Sequence, residues 1–147
     1  MTTQAASPAK TETQEPSYAI RPDLIEAQGR SVNAIVAERL CTQALQKAKS
    51  PEAVRKMSFK QLRNLARRNC ANDPDYIPSQ APVLEAAFRM LLSAPTDSLP
   101  LRAIHDRITD LWASSPRPRH ISEESLARVL SRDSSYGIAE VEAAEEE

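Results

Sequence analysis

The strongest structural signal in the sequence is a helix that begins at Ser58 and extends to Cys70. Ser58 and Gln61 are three residues apart, a spacing at which each side chain accepts a hydrogen bond from the other residue's backbone N–H group. The apolar residues that follow recur at intervals of three and four, which places them on one helix face. These residues are Leu62, Leu65, Ala66 and Cys70. The spacing therefore predicts an amphipathic helix with one face in a core.

The opposite face of this helix is basic and has no acidic residue. It carries Lys60, Arg63, Asn64, Arg67 and Arg68. From Arg30 to Arg68 there are ten Lys and Arg residues and two acidic ones, whereas Glu140 to Glu147 contains five glutamates and no base. This asymmetry, beneath a net charge of −1, indicates that the basic part contacts an anionic partner. Two solvated surfaces of opposite sign remain the alternative.

The scarcity of glycine extends the helical prediction to the rest of the chain. The 147 residues include two glycines and eleven prolines, so tight hairpins are difficult to form and helices are the default. We therefore expect a mainly α fold. Proline and cap residues divide it into a disordered tail (1–20), a helical N-terminal subdomain (21–71), a Pro-rich linker (72–81), a three-helix C-terminal subdomain (82–141) and an acidic tail (142–147).

Helix starts and stops are predicted within both subdomains from caps, prolines and apolar spacing. In the first, helices are expected from Pro22 to Gln28, from Ser31 to about Lys49, after Ser50-Pro51, and from Ser58. In the second, they are expected from about Pro82, from Leu101 to Ser114 and from Ser122 to Arg132, with short strands at Leu99–Leu101 and Tyr136–Val141.

The second half resembles a winged helix-turn-helix module. The matching residues are Val83 to Pro95, Leu101 to Ser114, Ser122 to Arg132 and Ser135 to Ile138. The resemblance implies a winged-helix-like subdomain whose third helix enters the DNA major groove with its first residues at the base edges. Here those residues are Glu123 and Glu124, which phosphates repel. After Val141 only alanines and glutamates remain, so the two-stranded wing is incomplete.

No pattern typical of catalysis or metal binding is present in the sequence. Two glycines cannot supply a phosphate-binding loop. Cys41, Cys70, His105 and His120 are separated by 28, 34 and 14 residues, which match no zinc spacing. Each cysteine is expected to act as a small buried hydrophobe. We therefore expect no enzymatic activity, no cofactor and no metal. No apolar run approaches the roughly 20 residues that cross a bilayer, so we expect a cytoplasmic protein without membrane contact.

Two functions fit the basic helix. The first is a small DNA-associated protein, such as a transcriptional regulator or accessory DNA-binding factor, that contacts the phosphates of a duplex. Its predicted contact residues are Arg55, Lys56, Lys60, Arg63, Arg67, Arg68, Arg117, Arg119, Arg128 and Arg132. The alternative is a helical adaptor or accessory subunit that docks the same basic face on an acidic protein. The helix-turn-helix-like half favours DNA, and the small cores favour a homodimer.

Overall fold

The computed structural model describes residues 15–142, which form eight helices and three short strands. The helices are α1 (Pro22–Glu26), α2 (Val32–Ala37), α3 (Thr42–Ala48), α4 (Pro51–Lys56), α5 (Phe59–Asn69), α6 (Val83–Ser93), α7 (Leu101–Ala113) and α8 (Glu123–Ser131). The strands are β1 (Ser17–Ile20), β2 (Leu99–Pro100) and β3 (Ile138–Val141). The prediction of a mainly helical fold is confirmed.

Local capping sets the helix starts as the sequence predicts. At α5 the Gln61 N–H donates to Ser58 Oγ at 3.2 Å and the Ser58 N–H donates to Gln61 Oε1 at 2.8 Å, which completes the capping box. Ser31, Ser50 and Ser122 each accept a hydrogen bond from the backbone N–H three residues later. Each of these bonds satisfies a helix N–H group that has no partner within the helix.

The long helix expected from Ser31 to about Lys49 is wrong, because the chain leaves helical geometry between α2 and α3. In this gap the Tyr76 hydroxyl donates to the Arg39 carbonyl at 2.6 Å. The Cys41 N–H donates to the sulfur of Cys70 at 3.2 Å. These partners are 37 and 29 residues away in sequence, and they replace hydrogen bonds that a continuous helix would make within itself.

The centre of the sheet is β1, which lies between β2 and β3 and is antiparallel to both. Ser17 is opposite Val141 and Ile20 is opposite Ile138. The expectation that the tail extends to residue 20 is therefore wrong for Ser17–Ile20, because this segment bonds to a strand on each side and buries Tyr18 to 1% exposure. The predictions for residues 1–14 and 143–147 lie outside the described residues.

One cluster of buried apolar side chains includes residues from both halves of the chain. It contains Val36 and Leu62 from the first half and Phe88 and Ile104 from the second. The stretch 72–81, expected to be a linker between subdomains, contributes Tyr76, Ile77 and Ala81 to the same cluster. These side chains make the Pro-rich segment part of the core, which differs from the predicted division into two cores.

A half-buried charge cluster joins the two halves at Glu85 on α6. The carboxylate accepts hydrogen bonds from Arg39 Nε at 3.0 Å, Arg89 Nε at 2.8 Å and the Tyr136 hydroxyl at 2.9 Å. Arg89 also donates to the Tyr76 carbonyl at 2.7 Å. Burial alone would raise the pKa of Glu85, but the hydrogen bonds from Arg89 and Tyr136 and the charge of Arg39 together lower the pKa below its ordinary value. The cluster is thus ionised and satisfied.

Gly137 lies where the turn before β3 passes over α1. Its φ is +71°, and its carbonyl accepts a hydrogen bond from the Arg21 N–H at 2.7 Å. A Cβ atom at this position would lie 2.7 Å from the Arg21 carbonyl oxygen and 2.9 Å from Ile25 Cγ1. The position therefore requires glycine for both its backbone conformation and its lack of a side chain.

Gly137→Ala should lower the free energy of unfolding by about 3 kcal/mol or more, because backbone strain adds to overlap with the Arg21 carbonyl. Gly29→Ala is the matched control, since Gly29 has φ +75° but nothing within 4 Å of the added Cβ. That control should cost only about 1 kcal/mol. Urea unfolding followed by circular dichroism measures both. Equal losses would contradict the proposed overlap at Gly137.

Candidate functional site

The structure places Arg63 inside the protein, contrary to the expectation of a fully solvent-facing basic side of α5. The residue is 8% exposed. Its Nη2 atom donates to the carbonyls of Leu91 at 3.3 Å and Asp97 at 3.2 Å, and its guanidinium lies 5.3 Å from the centre of the Phe59 ring. Burial, together with the neighbouring charge of Arg67, lowers the pKa of Arg63 despite the opposing charge of Asp97.

Arg67 is also held by the turn that follows α6. Its Nε atom donates to the Ala94 carbonyl at 2.5 Å, and its Nη2 atom donates to the Asp97 carboxylate at 3.0 Å. The hydrogen bond from Arg67 and then the charge of Arg63 lower the pKa of Asp97. Arg63 and Arg67 therefore fasten α5 to the turn between α6 and β2, and this use competes with contacts to an external anion.

The other predicted contact residues lie at the surface, and none of them forms an ion pair within residues 15–142. They are Arg55, Lys56, Lys60, Arg68, Arg117, Arg119, Arg128 and Arg132, all of them exposed. Lys60, Asn64 and Arg68 are spaced by four and form an exposed stripe on α5. Arg119 is partly engaged, because its guanidinium lies 4.1 Å from the centre of the Trp112 ring and donates to the Ala81 carbonyl at 3.0 Å.

An apolar groove opens between α2, α3 and α4, and no sequence pattern predicts it. Its volume is about 330 Å³. Its apolar lining includes Ala34, Ala37, Val54 and Leu45, and Leu45 has 43% of its surface exposed. The remaining lining residues are Asn33, Lys49, Ser50, Pro51 and Arg55. Leu45 and Leu24 are the exposed large hydrophobic residues of the part that the structure describes, and Leu24 does not line the groove.

Asn33 builds the groove by fastening α4 to α2. Its Nδ2 group donates to the carbonyls of Val54 at 2.8 Å, Arg55 at 3.0 Å and Met57 at 2.8 Å. These carbonyls lie at and just after the end of α4, where the intrahelical hydrogen bonds run out, and the Val54 carbonyl also accepts a bond from the Met57 N–H at 3.2 Å. At the other end, Lys49 closes α3 with φ +80°, the one positive φ among non-glycine residues 15–142. This conformation turns the chain sharply into α4.

Local sequence signals could not reveal the groove, because they predicted one helix through α2 and α3. With that helix intact, Leu45 lies outside the expected inner face, which consists of Val32, Ile35, Val36, Leu40 and Ala44. The fold creates the groove only when α3 separates from α2 and α4 returns beside it. One sequence signal did locate a helix that borders the groove. The Ser50-Pro51 pattern correctly predicted the start of α4.

Among residues 15–142, no three His, Cys, Asp or Glu side chains lie close enough together to hold a metal ion. No helix in this range is both long and apolar enough to cross a bilayer. No protein-family model matches the chain, and neither a curated protein nor a solved structure does.

Arg63→Gln should lower the free energy of unfolding by roughly 2–3 kcal/mol, because it removes a buried guanidinium and leaves the carbonyls of Leu91 and Asp97 without their donor. Lys60→Gln, one turn earlier on the exposed side of α5, should change stability by less than about 0.5 kcal/mol. Urea unfolding of the two variants and the wild type measures the difference. Equal effects would mean that Arg63 does not hold α5 in place.

Proposed function

We propose that the protein is a non-enzymatic helical adaptor whose groove between α2, α3 and α4 receives an acidic, amphipathic segment of a partner protein. The observation that carries this proposal is the combination of an exposed Leu45 with a basic rim at Lys49 and Arg55. An exposed apolar surface rimmed by polar groups is typical of a protein-binding site. The adaptor is the alternative raised by the sequence, with the contact moved from the face of α5 to the neighbouring groove.

The chemistry of the groove selects the kind of occupant. Ala34, Ala37 and Val54 offer only apolar contacts, so the inserted side chains must be apolar. Burial of such surface contributes about 25 cal/mol per Å². Lys49 and Arg55 at the rim favour carboxylates on the outer face of the segment, which gives orientation and faster association. An amphipathic helix with Leu or Ile at spacings of three and four and Glu between them meets both requirements.

A library of helical peptides displayed on phage tests this proposal. Selection on the full chain, with counter-selection on Leu45→Gln, should enrich sequences with an apolar stripe and acidic flanks. Fluorescence anisotropy of one enriched peptide should then show affinity at least about tenfold weaker for Leu45→Gln and for Lys49→Glu, because each removes one half of the recognition. Leu24→Gln is the matched control, since Leu24 is comparably exposed, at 37%, but lies outside the groove.

Two results would contradict the adaptor. The first is enrichment of peptides that bind Leu45→Gln and wild type equally well. The second is equal loss of affinity in Leu24→Gln and Leu45→Gln, which would mean that general surface apolarity and not the groove drives binding.

DNA association is the second candidate, and two observations favour it. Lys60 and Arg68 keep an exposed cationic stripe on α5, with Arg55 and Lys56 exposed on α4. The position of β1 between β2 and β3 supports a winged-helix-like arrangement of α6, α7 and α8, with β1 in place of the strand that a wing would provide. Under this proposal the protein contacts the phosphates of the duplex and does not read its base edges, because the acidic residues Glu123 and Glu124 begin α8.

A duplex titration across salt tests the second candidate with the same variants. With four phosphates neutralised by Arg55, Lys56, Lys60 and Arg68, the slope of log K against log salt should be roughly −3 to −4. Lys60→Gln with Arg68→Gln should reduce that slope by about 2. Leu45→Gln should leave duplex binding unchanged, which separates DNA association from the adaptor. Absence of duplex binding at low salt would exclude this candidate.

A further inference from the structure

The two cysteines of the chain lie in contact, although the sequence predicts only a small buried hydrophobe at each position. Their sulfur atoms are 2.7 Å apart, and both are free thiols. The Cys41 thiol also donates to the Asn69 carbonyl at 3.2 Å, and the Cys41 N–H donates to Cys70 Sγ at 3.2 Å. Cys41 is partly exposed and Cys70 is buried. The fold thus joins two thiols that 28 residues separate in sequence.

We propose that Cys41 and Cys70 form a site of reversible oxidation, at which exchange with a low-molecular-weight disulfide such as glutathione disulfide closes an intramolecular disulfide bond. The proposal is independent of whether the partner is a protein or DNA. It rests on the contact between the two sulfurs and on the accessibility of one of them, because exchange needs an attacking thiol that the small disulfide can reach.

Cys41 is the residue that reacts first. Of the two residues, Cys41 is the partly exposed one, whereas Cys70 is 0% exposed. Burial, followed by the hydrogen bond to Cys41, raises the pKa of the Cys70 thiol to about 12. Cys70 therefore keeps its proton at neutral pH and does not initiate exchange, because the thiolate is the nucleophile. Its position beside Cys41 suits it to the second step, in which it resolves the mixed disulfide.

The reaction is a two-electron exchange in two steps. The Cys41 thiolate attacks one sulfur of glutathione disulfide, forms a mixed disulfide with it and releases one glutathione thiolate. Cys70 then loses its proton to the glutathione thiolate released in the first step, attacks the sulfur of Cys41, forms the Cys41–Cys70 bond and releases the second glutathione as a thiolate. The two protein thiols are oxidised and glutathione disulfide is reduced to two thiols, which take up the two protons that the cysteines lose.

The bond would fasten the start of α3 to the end of α5. Cys41 is the residue before α3 and Cys70 is the residue after α5. Cross-linking them encloses α3, α4 and α5 in one covalent loop, which removes conformational freedom mainly from the unfolded chain. The same bond fixes α3, the helix that contributes Leu45 to the lining of the groove.

Mass spectrometry of the full chain in glutathione disulfide tests the proposal, with Cys70→Ser and Cys41→Ser as matched variants. The mass of the wild type should fall by about 2 Da, and both of its free thiols should disappear. The oxidised product should remain a monomer. Cys70→Ser should retain a glutathione adduct of about 305 Da, because no thiol resolves it. Cys41→Ser should form its glutathione adduct at least about tenfold more slowly than Cys70→Ser does, since the remaining thiol, that of Cys70, is buried. The oxidised wild type should melt about 10 °C higher than the reduced form.

Three outcomes would overturn the proposal. These are a wild type that keeps two free thiols, a wild type that forms only intermolecular dimers, and a wild type that accumulates the glutathione adduct as Cys70→Ser does. The same reaction in 8 M urea is the control for the fold. Ring closure from the mixed disulfide that is no faster in buffer than in urea would also count against it, because the folded chain then contributes nothing to bringing the sulfurs together.

Discussion

The carboxylate of Glu85, together with Arg89 one helical turn later, binds three stretches of chain that are remote from one another in sequence. Arg39 comes from the end of the α2 segment, Arg89 holds the carbonyl of Tyr76, and Tyr136 precedes β3. A carboxylate that is half removed from water needs such donors, since an unpaired charge in this position would be costly. The donors in turn are ordered only when all three stretches are in place. The cluster therefore makes the packing of the two halves a single cooperative arrangement.

The interruption between α2 and α3 follows from the same arrangement. Tyr76, whose carbonyl Arg89 holds, donates its hydroxyl proton to the carbonyl of Arg39. That carbonyl is directed away from the helix, and the chain turns before α3 begins. Two features depend on the turn. It separates α3 from α2 so that a groove lies between them and α4, and it places Cys41 beside Cys70.

The sequence was sufficient where a structure depends on neighbours a few residues away. Ser58 with Gln61, and Ser50 with Pro51, specify helix starts through bonds that span three residues, and these starts were correctly located. The burial of Arg63 depends on Leu91 and Asp97, which lie 28 and 34 residues later. Its own position, directly after Leu62, was compatible with either face. The central position of β1 in the sheet likewise depends on hydrogen bonds to strands about 80 or more residues away, and no local pattern specifies such partners.

Arginine and lysine have different uses in this protein, and the difference bears on any interpretation of its charge. The guanidinium groups of Arg39, Arg63, Arg67, Arg89 and Arg119 all donate to backbone carbonyls. A planar group with five donors suits this task, whereas a lysine ammonium is more strongly hydrated.

Within residues 15–142 each lysine is exposed, and none forms an ion pair there. The four lysines are Lys47, Lys49, Lys56 and Lys60. A count of basic residues along α5 therefore overstates the charge that is free to bind a partner, because the arginines most central to that helix stabilise the fold. The four lysines lie on or next to α3, α4 and the start of α5, the helices that surround or adjoin the groove. Apolar and electrostatic attraction thus coincide on one part of the surface, and this coincidence favours a protein segment over a bare polyanion as its ligand.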